Sequence, residues 1–497
     1  MTQQNDQLYA ALDLGSNSFH LIIARLEQDN LTIIDRHKEM VRLASGLNEE
    51  GKLTEPAMEK ALEALGRFAE RIRPIPAEFV RVIGTNTLRA AKNSNIFLRK
   101  AEKILSVSVN IISGVEEARL IYLGTSKDVS PNTNRLVMDI GGGSTELIVG
   151  RNEPIKLESL YMGCVSFSRK YFADGIISKK SYHKAVLAAR SETQDSSKSF
   201  TDIKWNEAIG CSGTIKAIAK VITDLGLAES HTITPDSLDE LANQVIECKT
   251  IDNLSQLDID ESRRPVFVGG LAILHGVFQE LGIENMHASS HTIREGIIYD
   301  LAGQMHHKDK RAETIKQMIK RHGVDGQHSW QVSKTALILL KQVRDQITTP
   351  YQLARRSLLW AIDLHEIGLS IAHNGFQKHS AYLVENSDMP GFSRQEQQLI
   401  SFLVLNHRRK LRTFNSNYGV NADWGLVLII RLACLLHRKR NEVTLPDNIK
   451  LEIHASTATL ELPSDWLAEH PLTEEDLSQE VGYWEKRDYN FEIRRLG

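Results

Sequence analysis

Short apolar runs separated by glycine and serine set the rhythm of the chain up to Ala302, and helical spacing takes over from Gly303. The segment Ala11-Leu12-Asp13-Leu14-Gly15-Ser16-Asn17-Ser18-Phe19-His20-Leu21-Ile22 reads as a strand, a tight turn and a second strand. Val137-Met138-Asp139-Ile140-Gly141-Gly142-Gly143-Ser144-Thr145-Glu146-Leu147-Ile148 repeats it. Asp139 lies 126 residues after Asp13, and the same shift carries Gly15 to Gly141, Ser18 to Ser144 and Leu21-Ile22 to Leu147-Ile148. A single repeat at that distance is a domain duplication. Both copies predict β-hairpins whose turn glycines permit positive φ and close backbone approach, so that N–H groups converge on an anion beside a strand-end Asp.

Around the hairpins the spacing predicts helices over 55–73 and 95–105 with a strand over 80–83. The second copy is followed by strands near Ile155 and Ala208 and helices over 181–191, 213–223, 266–281 and 294–302. Each half is thus an α/β layer structure. The charged stretch 304–311 marks a boundary, after which helical patterns run to Arg440; 450–454 and 458–462 alternate like two half-buried strands. The expected division is 1–125 and 126–302 as two α/β subdomains, 303–440 as a helical domain and 441–497 as a small α+β tail.

Length agrees, since 497 residues exceed one core and correspond to about three or four domains. A net charge of −3 and a pI near 6.7 supply no broad positive field for nucleic acid or an anionic membrane, so an anion site must be local. Cys164, Cys211, Cys248 and Cys434 are far apart, which argues against a zinc site or disulfide scaffold and fits a reducing cytoplasm. The N-terminus lacks the basic and apolar regions of a secretory signal. The most apolar stretch, 424–436, is broken by Arg431 and reads as a buried helix.

Asp139 and Glu146, with Asp13 as a third, are hard oxygen ligands beside a donor-rich turn, which suits Mg²⁺ and phosphate. The plainer alternative is tight turns with solvent-facing acids, and the duplication weighs against it. Glu116 and Glu117 begin a predicted helix, where adjacent acids ordinarily complement the dipole at the surface. If Glu117 instead enters the cleft between the halves, it is placed to deprotonate an attacking water. Arg89, after a strand, could meet phosphate oxygens or be an exposed structural residue. Ser212, Gly213 and Thr214 open a helix whose N–H groups suit another phosphate, although P-loop spacing is absent. His365-Glu366 lies on a helix with His328, His379 and His407 elsewhere in that region; such histidines are expected to be satisfied core or surface groups rather than a catalytic metal site. Arg408-Arg409-Lys410 and His437-Arg438-Lys439-Arg440 are solvated faces or a track for a polyanion.

The Asp13 and Asp139 hairpins, together with Ile112-Ser113-Gly114-Val115-Glu116-Glu117-Ala118-Arg119-Leu120-Ile121, Met162-Gly163-Cys164-Val165, Ser212-Gly213-Thr214 and His379-Ser380-Ala381-Tyr382-Leu383, resemble the exopolyphosphatase and guanosine pentaphosphate phosphatase family over nearly the whole chain. The resemblance implies a duplicated actin-like, ribonuclease-H-like (ASKHA) α/β core, then an all-α HD-like domain and a small α+β tail. It also implies a homodimer and dependence on Mg²⁺, with K⁺ activation left open. On matching positions it makes Glu117 the catalytic base, Asp139 and Glu146 the metal carboxylates, and Gly141, Gly142, Gly143 and Ser144 with Asn17 and Ser18 the phosphate cradle; Arg89 neutralises the transferred group. Two departures stand out: Ser290 occupies the place of an Asp in the family's Asp-Gly-Ala-Leu-Arg-Glu-Gly pattern, and His365-Glu366 replaces His-Asp of active HD enzymes, so no second catalytic centre is expected.

The first functional expectation is an exopolyphosphatase that releases orthophosphate processively from inorganic polyphosphate, favoured by the basic clusters. The alternative is hydrolysis of guanosine pentaphosphate to the tetraphosphate, or both. A non-catalytic alarmone sensor conflicts with the complete Glu117, Asp139 and Glu146 set, and a sugar kinase of the same superfamily with the altered Ser290 segment. A cytoplasmic protein is expected, without transmembrane segment or nucleic-acid partner, and with peripheral association at the inner membrane face left open.

Overall fold

The computed structural model describes residues 7–27, 30–126, 133–305, 309–440 and 444–497. They fall into two compact units, Met1–Asp309 and Lys310–Gly497. In the first half of the first unit, β1 (Leu8–Leu14), β2 (Phe19–Glu27) and β3 (Asn30–Glu39) form an antiparallel meander, and β4 (Val80–Gly84) and β5 (Val109–Ile111) extend it in parallel, giving the order β3-β2-β1-β4-β5. α1 (Glu55–Ile72), α2 (Asn86–Ala90), α3 (Ser94–Leu105) and α4 (Gly114–Thr125) supply the crossovers and cover. On α1 the buried positions Met58, Ala61, Leu65, Phe68 and Ile72 recur every three or four residues, making one apolar stripe.

The second half repeats this arrangement. β6 (Arg135–Ile140), β7 (Thr145–Gly150) and β8 (Pro154–Leu160) form the meander, followed by α5 (Cys164–Tyr171), α6 (Lys179–Thr201), β9 (Glu207–Cys211), α7 (Ser212–Asp224), β10 (Thr232–Ile233), α8 (Pro235–Glu247), α9 (Arg264–Leu281), β11 (Met286–Ala288) and α10 (Ile293–Met305). The sheet order β10-β11-β9-β6-β7-β8 is the first sheet's order with one strand added. β1 and β6 are central and almost continuously buried, as strands covered on both faces must be.

Helix α4 lies on α10 so closely that a Cβ on Gly296 would stand 1.8 Å from the Leu120 carbonyl oxygen, and one on Gly124 would stand 2.2 Å from the Thr292 oxygen. Glycine at both positions lets the two helices meet backbone to backbone. Beside that contact Arg119 donates to Glu116 at 2.7 and 2.8 Å and to Asp300 at 2.5 Å, and Arg81 pairs with Asp300 from the strand side. Burial alone would raise the Asp300 carboxyl, but Arg119 and Arg81 overcome it and hold it at about 2.

The second unit is helical: α11 (Lys310–His322), α12 (Gly326–Gln342), α13 (Tyr351–Leu364), α14 (Phe376–Asn386), α15 (Arg394–Asn406) and α16 (Trp424–Leu436). β12 (Lys450–His454), β13 (Thr457–Pro463), α17 (Ser464–Glu469), α18 (Pro471–Glu485) and β14 (Asn490–Leu496) follow, with β13 central, antiparallel to β12 and parallel to β14. One hydrophobic cluster joins Leu339, Leu403 and Val427 of the helices to Leu460, Trp484 and Phe491 of the tail. Arg431 on α16 is buried because Glu480 takes its Nη2 at 2.7 Å and the Asn406 carbonyl takes Nη1 at 2.6 Å. Among the described residues, no helix is long and apolar enough to cross a membrane.

Candidate active site

Asp13 and Asp139 stand near the C-terminal ends of the central strands β1 and β6, where each hairpin turns. Across its own hairpin Asp139 faces Glu146, whereas Asp13 faces His20. The duplication has therefore diverged at one register position. The turn glycines serve space rather than unusual dihedrals: none of Gly15, Gly141, Gly142 and Gly143 has a positive φ, which corrects that part of the expectation. A Cβ on Gly142 would lie 3.1 Å from Ser16 Cβ of the other hairpin, and one on Gly143 would lie 2.5 Å from Asn86 Oδ1. The two turns thus approach each other. Left-handed backbone occurs instead at Ser212, at φ 77°, where β9 passes into α7.

The adjacent acids of α4 divide their roles. Ser113 caps the helix by accepting from Glu116 N at 3.1 Å, and Glu116 is then sealed beneath by Arg119. Glu117 turns the other way and receives Arg89 Nη1 at 3.4 Å, while that nitrogen also donates to the Ile112 carbonyl at 2.6 Å. Neither acid is the surface group that position at a helix start suggested; Glu117's side chain is 13% exposed and Glu116's fully buried. Glu146 accepts from Ser159 Oγ at 2.8 Å.

Four carboxyls, Asp13, Glu117, Asp139 and Glu146, consequently share one field. Burial and the charge on Glu117 push Asp13 and Asp139 up to about 7. Burial, Glu117 and Asp139 raise Glu146 well above the carboxylate range, and burial raises Glu117 against the opposing pull of Arg89. Asp13 Oδ1 is buried without a hydrogen-bond partner. An oxygen-rich, mutually repelling set with an orphaned acceptor fits a hard divalent cation.

A ring of cations surrounds His20. Burial, followed by Arg294, Lys38, Arg263 and Lys216, drives its imidazole down to about 2, so it is neutral. Arg294 Nη1 lies 3.0 Å from His20 Nδ1, and Ser18 Oγ lies 2.7 Å from Nε2. Because a guanidinium only donates, Nδ1 is the acceptor and Nε2 carries the proton; Ser18 accepts it and keeps its own hydroxyl hydrogen for a ligand. Burial and neighbouring guanidinium groups also push the Lys38 and Lys216 ammonium groups down, against the opposing pull of Asp260 on Lys38 and of Glu295 and Asp139 on Lys216. A Cβ on Gly213 would lie 1.9 Å from Arg263 Nη2, so this glycine admits the guanidinium to the start of α7.

The first unit therefore gathers Asp13, Asn17, Ser18, Arg89, Glu117, Asp139, Gly141–Ser144, Glu146 and Ser212–Thr214 near facing turns and helix starts. Sequence reasoning did not assign His20, Lys38, Ser159, Lys216, Arg263 or Arg294. His20 alone carried a signal, since the 126-residue shift maps it onto Glu146. In the second unit Arg408 and Arg409 line a cavity with His328, His365, Glu366 and His407, whereas Lys410 and His379 are not among its lining residues.

A duplicated strand-hairpin core with carboxylates at the ends of both central strands and donor-rich turns between them defines an actin-like phosphoryl-transfer protein. Residues 22–305 match the model of the Ppx/GppA phosphatase family and 311–481 that of Ppx/GppA phosphatase domain III. The chain belongs to the Ppx/GppA phosphatase family and is a phosphoanhydride hydrolase. Proteins named guanosine-5'-triphosphate,3'-diphosphate pyrophosphatase from Aeromonas hydrophila and Pseudoalteromonas atlantica are 39% and 38% identical, each over 96% of this chain and covering 97% and 95% of those proteins. The fold is also that of an exopolyphosphatase from Cytophaga hutchinsonii, 24% identical with a TM-score of 0.54 over 60% of this chain and 98% of that one. The Aquifex aeolicus Ppx/GppA member matches at 22% and 0.53, over 61% and 99%.

Proposed function

We propose that the chain removes the terminal 5'-phosphate of guanosine 5'-triphosphate 3'-diphosphate. What carries this reading is near-full-length identity of 38–39% to proteins bearing that activity in their names. It reverses the order of substrates expected from the motifs. Inorganic polyphosphate remains the second reading, favoured by Arg408 and Arg409 on one cavity wall of the second unit.

In this reading, N–H groups of Gly142 to Ser144 and the Ser18 hydroxyl receive the terminal phosphate, and Asn17 flanks it; the Gly141 N–H, expected to join them, is spent on the Ser144 carbonyl at 2.9 Å. Glu117, raised toward neutrality by burial, accepts a proton from the attacking water. Arg89, 3.4 Å from Glu117, neutralises charge on the transferred group. Lys38, Lys216, Arg263 and Arg294 hold the phosphates that stay behind, and Ser212, Gly213 and Thr214 add helix-start donors. Asp13, Asp139 and Glu146 would hold a divalent cation, Mg²⁺ by their oxygen chemistry; when bound, it supplies charge neutralisation on the phosphate oxygens. Orthophosphate leaves with the proton balance restored by solvent.

The test is orthophosphate release from guanosine pentaphosphate and, separately, from long-chain polyphosphate, by wild type and Glu117→Gln. Faster turnover of the nucleotide, reduced by about 10²–10⁴-fold in the variant, is expected. Faster turnover of polyphosphate would transfer the assignment to the second reading, and an unimpaired variant would remove Glu117 from the role of base.

A further inference from the structure

The cavity of the second unit encloses about 620 Å³ and has chemistry unlike the carboxylate cluster of the first. Ligand atoms of His328, His365 and Glu366 lie within 4.8 Å of one another, and all three residues are buried. His365 Nδ1 is spent on the Ile362 carbonyl at 2.5 Å, which leaves Nε2 bare and 3.9 Å from Glu366 Oε1. His407 repeats the device, with Nδ1 on the Val404 carbonyl at 2.7 Å and its ring centroid 5.0 Å from that of His365. A histidine that donates one ring N–H to a backbone carbonyl has its tautomer fixed and the other lone pair presented, the arrangement found behind metal-ligating imidazoles. His328 is only 6% exposed, and its Nδ1 has no hydrogen-bond partner.

Glu366 is at present claimed by Arg440, whose side chain is 44% exposed and also reaches Asp325 at 3.4 Å. Arg440 can therefore leave Glu366 and keep an ion pair. We propose that His328, His365 and Glu366 form a binding site for one first-row divalent transition ion, which takes Glu366 from Arg440. Two imidazoles and one carboxylate select an ion of the zinc or cobalt class; Mg²⁺ prefers the oxygen-only set of the first unit. The expectation that these histidines are satisfied side chains gives way because a ring nitrogen is left without a partner beside two other converging ligands.

The experiment uses the full-length chain, stripped with a chelator and dialysed against Co²⁺ with excess Mg²⁺ to occupy the carboxylate cluster. One Co²⁺ per chain is expected, with a visible absorption band that Zn²⁺ abolishes by displacement. His328→Ala and His365→Ala should lose the band, Glu366→Gln should weaken binding, and Arg440→Ala should shift binding to lower Co²⁺ concentration by removing the competitor. Circular dichroism checks that each variant is folded; if a histidine variant is not, Glu366→Gln and Arg440→Ala decide, since neither empties the core. Failure to retain Co²⁺ in the presence of Mg²⁺, or equal retention by wild type, Glu366→Gln and Arg440→Ala, overturns the site.

Discussion

His20 occupies in the first hairpin the register position that Glu146 occupies in the second: His20 faces Asp13 across β1 and β2 as Glu146 faces Asp139 across β6 and β7. One copy of an ancestral hairpin thus presents a carboxylate pair, and the other presents a carboxylate with a neutral imidazole held between Ser18 and Arg294. The asymmetry separates a cation-seeking side from an anion-seeking side within one duplicated frame.

Removing the imidazole should affect binding more than turnover. His20→Ala takes away the acceptor of Arg294 and the donor that orients Ser18. With each of the two hydrogen bonds worth about 0.5–1.5 kcal/mol, KM should rise by about 5–150-fold while kcat changes little. Steady-state phosphate release checks this, and an equal fall in kcat would place His20 nearer the reacting group.

The acids at the strand ends should make stability depend on pH and cation together. Asp13 and Asp139 titrate at about 7 in the folded, cation-free protein and at about 4 when unfolded. Between those values the folded state binds more protons, so these groups stabilise it fully below about pH 4, and that contribution is lost as pH rises to about 7. A cation that takes the ionised forms reverses the penalty, so Mg²⁺ should raise Tm more at pH 8 than at pH 5. Thermal melts with and without Mg²⁺ test the sign, and Asp139→Asn should remove most of the difference.

Two glycines predict opposite outcomes for the same substitution. At Gly296 a methyl group meets the Leu120 carbonyl at 1.8 Å, backbone that cannot yield, so Gly296→Ala should cost about 1–3 kcal/mol or more and displace Glu117 with α4. At Gly213 the methyl group meets Arg263 Nη2 at 1.9 Å, the end of a flexible side chain. Gly213→Ala should leave Tm nearly unchanged and raise KM. Urea melts and kinetics on the pair distinguish the two effects.

Asp300→Asn should cost about 3–5 kcal/mol, because it leaves Arg119 and Arg81 buried with one carboxylate fewer. Its effect on catalysis should run through Glu117, the neighbour of the anchored Glu116, and appear in kcat. A variant as stable as wild type would show that the network contributes packing alone.

Much of the frame was legible in local pattern. The strand–turn–strand unit, its recurrence 126 residues later and the helices flanking it all follow from short-range periodicity, and the strand-end acids could be picked out with them. β3 and β14 are not legible in this way, because their alternation is diluted by charged residues on exposed edges, as in Asn30-Leu31-Thr32-Ile33-Ile34-Asp35-Arg36. The turn glycines suggest unusual φ, yet their use is proximity to Ser16 and Asn86, which only the packed hairpins reveal.

The sequence by itself determined the duplicated α/β core, the carboxylates at its strand ends and the helical character of the region beyond Gly303, since each depends on residues a few positions apart. Tertiary structure decided that Glu117 rather than Glu116 faces the strand-end acids, that His20 is neutral, and that Lys38, Lys216, Arg263 and Arg294 converge around it. Burial and Coulomb energy depend on distance through space, and residues separated by up to 274 positions in the chain carry no local pattern that encodes that distance.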